Sequence, residues 1–126
     1  MSDRLLVDTH VVLWWRANDP RLTLSAREAI AAAKIVFVSA ASAWEIAIKS
    51  ALGRVRLPRP FSEGVQESGF IELPIGFQHA DAVEFLPPHH ADPFDRMLLA
   101  QAKVERLVLV THDRSFEPYG HPIVWT

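Results

Sequence analysis

The sequence predicts an α/β sandwich around a mostly parallel sheet of four to five short strands. Three observations predict it. Short apolar, largely β-branched runs recur along the 126 residues, helical stretches separate them, and helix-start and helix-stop signals bound those stretches. Strands covered by helices on both faces are apolar throughout rather than alternating, as these runs are.

Leu5–Val7 reads as the first strand, ending at Asp8, and a helix follows to Arg16. Ser25-Ala26-Arg27-Glu28 has the form of a capping box opening an alanine-rich helix to about Ala33. Ile35–Val38 is a second strand. Ala40–Leu52 reads as a helix stopped by Gly53. After a loop rich in proline and arginine come a short helix over Phe61–Ser68, a third strand over Phe70–Leu73, and a helix over Phe77–Leu86 stopped by Pro87-Pro88. Asp92-Pro93 pairs a capping acid with proline at the first helical position, starting a helix to about Glu105. Leu107–Val110 and Ile123–Trp125 complete the strands.

The length suits one compact domain, residues 1–126. Hydrophobic residues at 49% against charged residues at 22% describe a globular core rather than a disordered chain. With no cysteine, disulfides and thiolate zinc sites are excluded. The opening apolar run is broken by Asp8 and leads to no small-residue cleavage site, so no signal peptide is expected. No stretch reaches the roughly 18 apolar residues of a membrane span, and the expected compartment is the cytoplasm. The formal charge of -2 does not decide for or against a nucleic-acid partner. It does argue against long non-specific duplex binding, which needs a dense basic face.

In an open α/β sheet, ligands bind beyond the carboxyl ends of the strands. Asp8 follows the first strand and Asp113 lies just past the fourth, while Glu45 lies early in the helix leaving the second. Asp95 stands in the first turn of the helix that leads into the fourth. All four are therefore expected on one rim. Asp8 is the only charged residue between Arg4 and Arg16, and Glu45 the only one between Lys34 and Lys49. Carboxylates in apolar surroundings are costly to bury, and several together repel one another, so a divalent ion is the economical solution. All-oxygen ligation favours Mg²⁺ or Mn²⁺ over zinc. Each acid also suits a local role: Asp8 as a helix cap, Glu45 as the end of a Ser42–Glu45 capping box, Asp95 as a partner of the helix dipole, Asp113 as a turn former. Capping accounts for any one of them more readily than for four at one edge. Asp92 is assigned to the cap of its helix.

The segments LLVDTHVVLWW, VSAASAWEIAIK, HHADPFDRMLLAQA and LVTHDRSF together resemble the PIN-domain family, and more narrowly its VapC-like toxins of bacterial toxin–antitoxin pairs. The resemblance spans nearly the whole chain, and the DPFDR-x-L-x-A-Q-A stretch is its most specific part. It implies a three-layer α/β/α sandwich and an endoribonuclease acting on single-stranded or loop RNA with one or two Mg²⁺ or Mn²⁺ ions. The family's acidic positions fall on Asp8, Glu45, Asp95 and Asp113. It implies also a homodimer silenced by a cognate antitoxin. Two other readings stay open: an RNA-processing nuclease outside any toxin–antitoxin system, and an RNA- or partner-binding module without turnover.

Other residues have narrower expectations. Thr9 and Thr111 are candidate donors to a ligand or a neighbouring carboxylate. Lys49, Arg54, Arg56 and Arg59 form a basic stretch with no intervening acid that could guide an RNA backbone. Arg96 is expected to pair with a carboxylate or to contact RNA. His10 and His112, beside Asp8 and Asp113, are expected to point away from the acids rather than to ligate. Trp14, Trp15, Phe94, Met97 and Leu98 read as core or subunit surface. A phosphoacceptor receiver domain would need an aspartate after the third strand, where Leu73-Pro74 stands, and a haloacid-dehalogenase-type phosphatase would need one at His10.

Overall fold

The computed structural model describes residues 3–126. Five strands form one sheet: β1 (Arg4–Val7), β2 (Ile35–Ser39), β3 (Ile71–Leu73), β4 (Val108–Thr111) and β5 (Ile123–Trp125). Their order is β3-β2-β1-β4-β5, and every pairing is parallel. The helices are α1 (Thr9–Ala17), α2 (Leu24–Ala32), α3 (Ala40–Ala51), α4 (Phe61–Glu67), α5 (Phe77–Val83) and α6 (Pro93–Glu105), with a 3-10 helix over Arg114–Tyr119. β1 is central, which is why Leu5, Leu6 and Val7 are fully buried.

Alternate residues of each strand feed two cores. Leu5, Val7, Val36, Val38 and Val110 pack with Val11, Val12 and Trp14 of α1, with Ala26 and Ile30 of α2, and with Val65 of α4. Leu6 and Leu109 point the other way, onto Leu98, Leu99 and Ala102 of α6, Ala41 of α3 and Phe116. The result is the expected three-layer sandwich. Each such buried leucine or valine contributes about 1.5–3 kcal/mol relative to exposure.

The capping box expected at Ser25 is not used. Thr23 caps α2, accepting the Ala26 amide at 3.2 Å, because the helix begins at Leu24, two residues earlier than a cap at Ser25 implies. The start of α3 is likewise set by Ser39, whose hydroxyl accepts the Ala41 amide at 2.9 Å. Glu45 therefore falls in the second turn, too deep to close a capping box with Ser42. Gly53 does stop α3, at φ +72, a conformation that only glycine adopts without strain.

Candidate metal centre

The acids lie along the carboxyl edge of the sheet, each held by the element that delivers it. Asp8 caps α1: its Oδ1 accepts the Val11 amide at 2.9 Å, and its own amide continues the sheet by donating to Val110 O at 3.1 Å. Its Oδ2 accepts the Thr111 hydroxyl from the neighbouring strand β4. The Thr111 oxygen in turn accepts the Asp113 amide at 3.0 Å, so one hydroxyl joins two of the carboxylate-bearing segments. Asp113 opens the 3-10 helix, accepting the Ser115 amide at 2.9 Å.

At α6, Asp92 does the capping: its Oδ1 accepts the amides of Phe94 at 2.8 Å and Asp95 at 3.1 Å. That leaves the Asp95 carboxylate unused by the helix. It faces His90, whose Nε2 lies 2.9 Å from Asp95 Oδ2 and 3.2 Å from Asp113 Oδ2. Among the described residues, His90, Asp95 and Asp113 are the one group of three or more metal-ligating side chains whose donor atoms come within 4.8 Å of one another. Glu45 stands further along the edge. Its Oε1 takes the single hydrogen of Thr9 at 2.8 Å, while Ser42 Oγ lies 2.8 Å from the same threonine oxygen. Its Oε2 is closed by Lys49 at 2.6 Å.

The electrostatics are those of a crowded acidic site. Burial pushes the Asp8 carboxyl above its ordinary range, against the pull of Thr111, Val11 and the two nearby histidines. Asp95 is pushed up to about 7, first by burial and then by the charge of Asp92, with Asp8 and Asp113 adding to it and His90 opposing. Asp113 faces the same burial cost, but bonds from Ser115 and the nearness of His90 outweigh it, and its carboxyl is held low. At Asp95, burial and the neighbouring negative charges both disfavour the ionised form.

The PIN domain family profile matches residues 5–121. The chain belongs to the PIN-domain family. It is 32% identical over 121 residues to Ribonuclease VapC22 of Mycobacterium tuberculosis, covering 94% of this chain and 93% of that protein. Its fold is similar to VapBC2 from Rickettsia felis bound to a promoter DNA fragment, with TM-score 0.71, 12% identity, and 95% and 96% of the two chains covered. It is similar also to DNA-bound VapBC from Salmonella typhimurium, with TM-score 0.70, 20% identity and 98% of each chain covered.

The donor set of this PIN domain fits a divalent cation. At about 4 Å and an effective dielectric constant near 20, two ionised carboxylates repel by roughly 4 kcal/mol. A cation between Asp95 and Asp113 turns that repulsion into attraction. The group nearest both carboxylates is the imidazole of His90, which the sequence reading does not single out. His90 was not singled out because it lies in the loop before α6, where periodicity says nothing of side-chain direction. Its only sequence signal is its place two residues before the capping Asp92. His10 and His112 stay outside the cluster: their rings pack with Trp14, at 5.8 and 4.7 Å between centroids.

The remaining expected residues of this PIN domain are used differently. Thr9 and Thr111 donate to carboxylates, one of the two uses expected of them. Among the described residues, Arg96 pairs with no acid. Its guanidinium donates to the carbonyls of Val83, Leu86, Pro87 and His90 at 3.0–3.2 Å and reaches the Tyr119 hydroxyl at 3.4 Å. It ties the α5–α6 loop in place, since the loop carbonyls before α6 converge on one point. In the basic stretch, Lys49 is engaged by Glu45 and Arg59 by Glu67 at 2.6 Å. Arg54 and Arg56 are exposed and have no carboxylate partner among the described residues.

Proposed function

We propose that this chain is a divalent-metal-dependent endoribonuclease, the toxin of a toxin–antitoxin pair, cleaving single-stranded or loop RNA. The observation that carries the reading is the convergence of Asp8, Asp95 and Asp113 on one sheet edge. There the pKa of Asp95 is raised by burial and by its acidic neighbours. The 32% identity to a ribonuclease over nearly the whole chain supports it.

When bound, Mg²⁺ or Mn²⁺ supplies a polarised water and charge neutralisation at the phosphate. Asp95 and Asp113 would hold the ion, with Asp8 as the buried acid behind them. Both Asp8 oxygens are fixed, by Val11 and by Thr111, so that carboxylate meets a ligand without reorganising, which favours catalysis. Glu45 serves directly or through water, and the ammonium of its partner Lys49, 2.6 Å from it, would contact a phosphate oxygen. Arg54 and Arg56 extend the positive charge along the RNA path.

Exposed apolar side chains, among them Phe77, Phe85, Leu24 and Trp44, support cover by protein partners: a second copy in a homodimer and a cognate antitoxin. No described helix is long and apolar enough to cross a membrane, and we place the single domain in the cytoplasm.

The test is cleavage of single-stranded and hairpin RNAs by purified protein. Cleavage should proceed with Mg²⁺ or Mn²⁺, slow greatly with Ca²⁺, which activates water poorly, and stop in EDTA. Undiminished cutting in excess EDTA overturns the metal-dependent reading.

A further inference from the structure

We propose that His90 is itself a ligand of the divalent ion, making the site a mixed imidazole–carboxylate centre that takes Mn²⁺ in preference to Mg²⁺. The inference rests on the metal-nuclease reading above and specifies the ion.

The distances carry it. Two donors at adjacent corners of an octahedral ion, each about 2.1 Å from it, stand about 3 Å apart. Nε2 of His90 lies 2.9 Å from Asp95 Oδ2 and 3.2 Å from Asp113 Oδ2. Both have the length of an octahedral edge, so a cation held by Asp95 and Asp113 would have the imidazole within reach.

His90 is held from behind. The His90 amide donates to the Tyr119 hydroxyl at 2.9 Å, and its carbonyl accepts from Arg96 at 3.2 Å. Phe116 packs edge-on against the ring at 5.4 Å between centroids. The two backbone bonds and the Phe116 contact together fix where the imidazole stands. On the far side of the ring, Nδ1 receives only a long contact from the Asp92 amide at 3.4 Å. With the carboxylate oxygens accepting at Nε2, the ring proton stands on Nε2 in the metal-free protein, and a cation binding there displaces it.

Ligand chemistry then chooses the ion. Carboxylate and water suit Mg²⁺ and Mn²⁺ alike. An imidazole nitrogen is a poor partner for the hard Mg²⁺ and a good one for a first-row transition ion.

The experiment measures metal binding without RNA. Metal-free full-length protein is titrated with Mn²⁺ and followed by pulsed electron paramagnetic resonance, with Mg²⁺ as competitor, for the wild type, His90→Ala and His90→Gln. Urea unfolding of each shows that it is folded. The wild type should show ¹⁴N coupling to Mn²⁺. His90→Ala should lose that coupling and bind Mn²⁺ about tenfold or more weakly. His90→Gln, which offers an oxygen in place of nitrogen, should keep Mg²⁺ binding while the preference for Mn²⁺ falls.

Mn²⁺ bound to the wild type without nitrogen coupling, or an alanine variant with the coupling intact, overturns the ligand role. RNA cleavage is assayed alongside. Metal-dependent cleavage with a nitrogen-free Mn²⁺ site removes this inference and leaves the nuclease standing. Nitrogen coupling in a protein that cuts no RNA supports the ligand and overturns the nuclease.

Discussion

The Thr111 hydroxyl donates to the Asp8 carboxylate across the β1–β4 strand pair while accepting the Asp113 amide. All three atoms sit where the two strands end, and Thr111 is fully buried. Hydrogen bonds to charged groups contribute about 1.5–3 kcal/mol. Thr111→Val, which keeps the shape and removes the hydroxyl, should therefore destabilise the protein by about that much and cut RNA cleavage at least tenfold. Thr111→Ser should restore both. Urea unfolding beside a cleavage assay checks this, and a fully active valine variant would show that Asp8 needs no such orientation.

Asp92 and Asp95 are three residues apart and should behave in opposite ways. Asp92 caps α6 with two bonds, so Asp92→Ala should cost about 1 kcal/mol of stability. Asp95 makes no cap and carries an unfavourable charge, so Asp95→Asn should leave metal-free stability unchanged or raise it, although cleavage collapses. Added Mg²⁺ should stabilise the wild type through linkage and the Asn variant less. An Asn variant that is less stable in EDTA, responds fully to Mg²⁺ and still cuts RNA would return Asp95 to the helix dipole.

The raised carboxyl of Asp95 fixes the sign of a pH dependence. With its folded pKa near 7 and an unfolded value near 3.8, the folded state holds the proton more tightly. Its contribution favours folding below about pH 4 and is lost as pH rises through 7. The raised Asp8 acts in the same direction, whereas the lowered Asp113 acts oppositely and only in acid. Metal-free protein should thus lose stability between pH 5 and 8, and saturating Mg²⁺ should flatten that slope. Denaturant midpoints at four pH values in EDTA and in Mg²⁺ test it; a rising slope in EDTA would contradict the assignment.

Neutralising Arg54 and Arg56 together should weaken RNA binding and reduce its salt dependence without altering metal affinity. Lys49→Met should differ. It strips Glu45 of its partner, so stability and metal binding should both shift. Filter binding at several salt concentrations separates the two, and an unchanged salt slope in the arginine double variant would move the RNA path elsewhere.

Apolar runs such as Leu5–Val7 and Leu107–Val110 were readable as strands because burial on both sheet faces demands them. The Asp92-Pro93 start of α6 was readable because capping is local chemistry, complete within four residues. The placing of Asp8, Asp95 and Asp113 on one edge followed from those elements, since a parallel sheet returns each strand end to the same side. What lay beyond the sequence were contacts between segments far apart in the chain. Thr111 reaches Asp8 across 103 positions, Thr9 reaches Glu45 across 36, and His90 meets Asp113 across 23. The boundary of α2 moved for a smaller reason: Thr23 and Ser25 are both competent caps, and packing chose between them. His90 shows the limit most clearly. An irregular loop has no period, so only the folded chain, with Tyr119, Phe116 and Arg96 closing around it, determines that its imidazole turns toward Asp95 and Asp113.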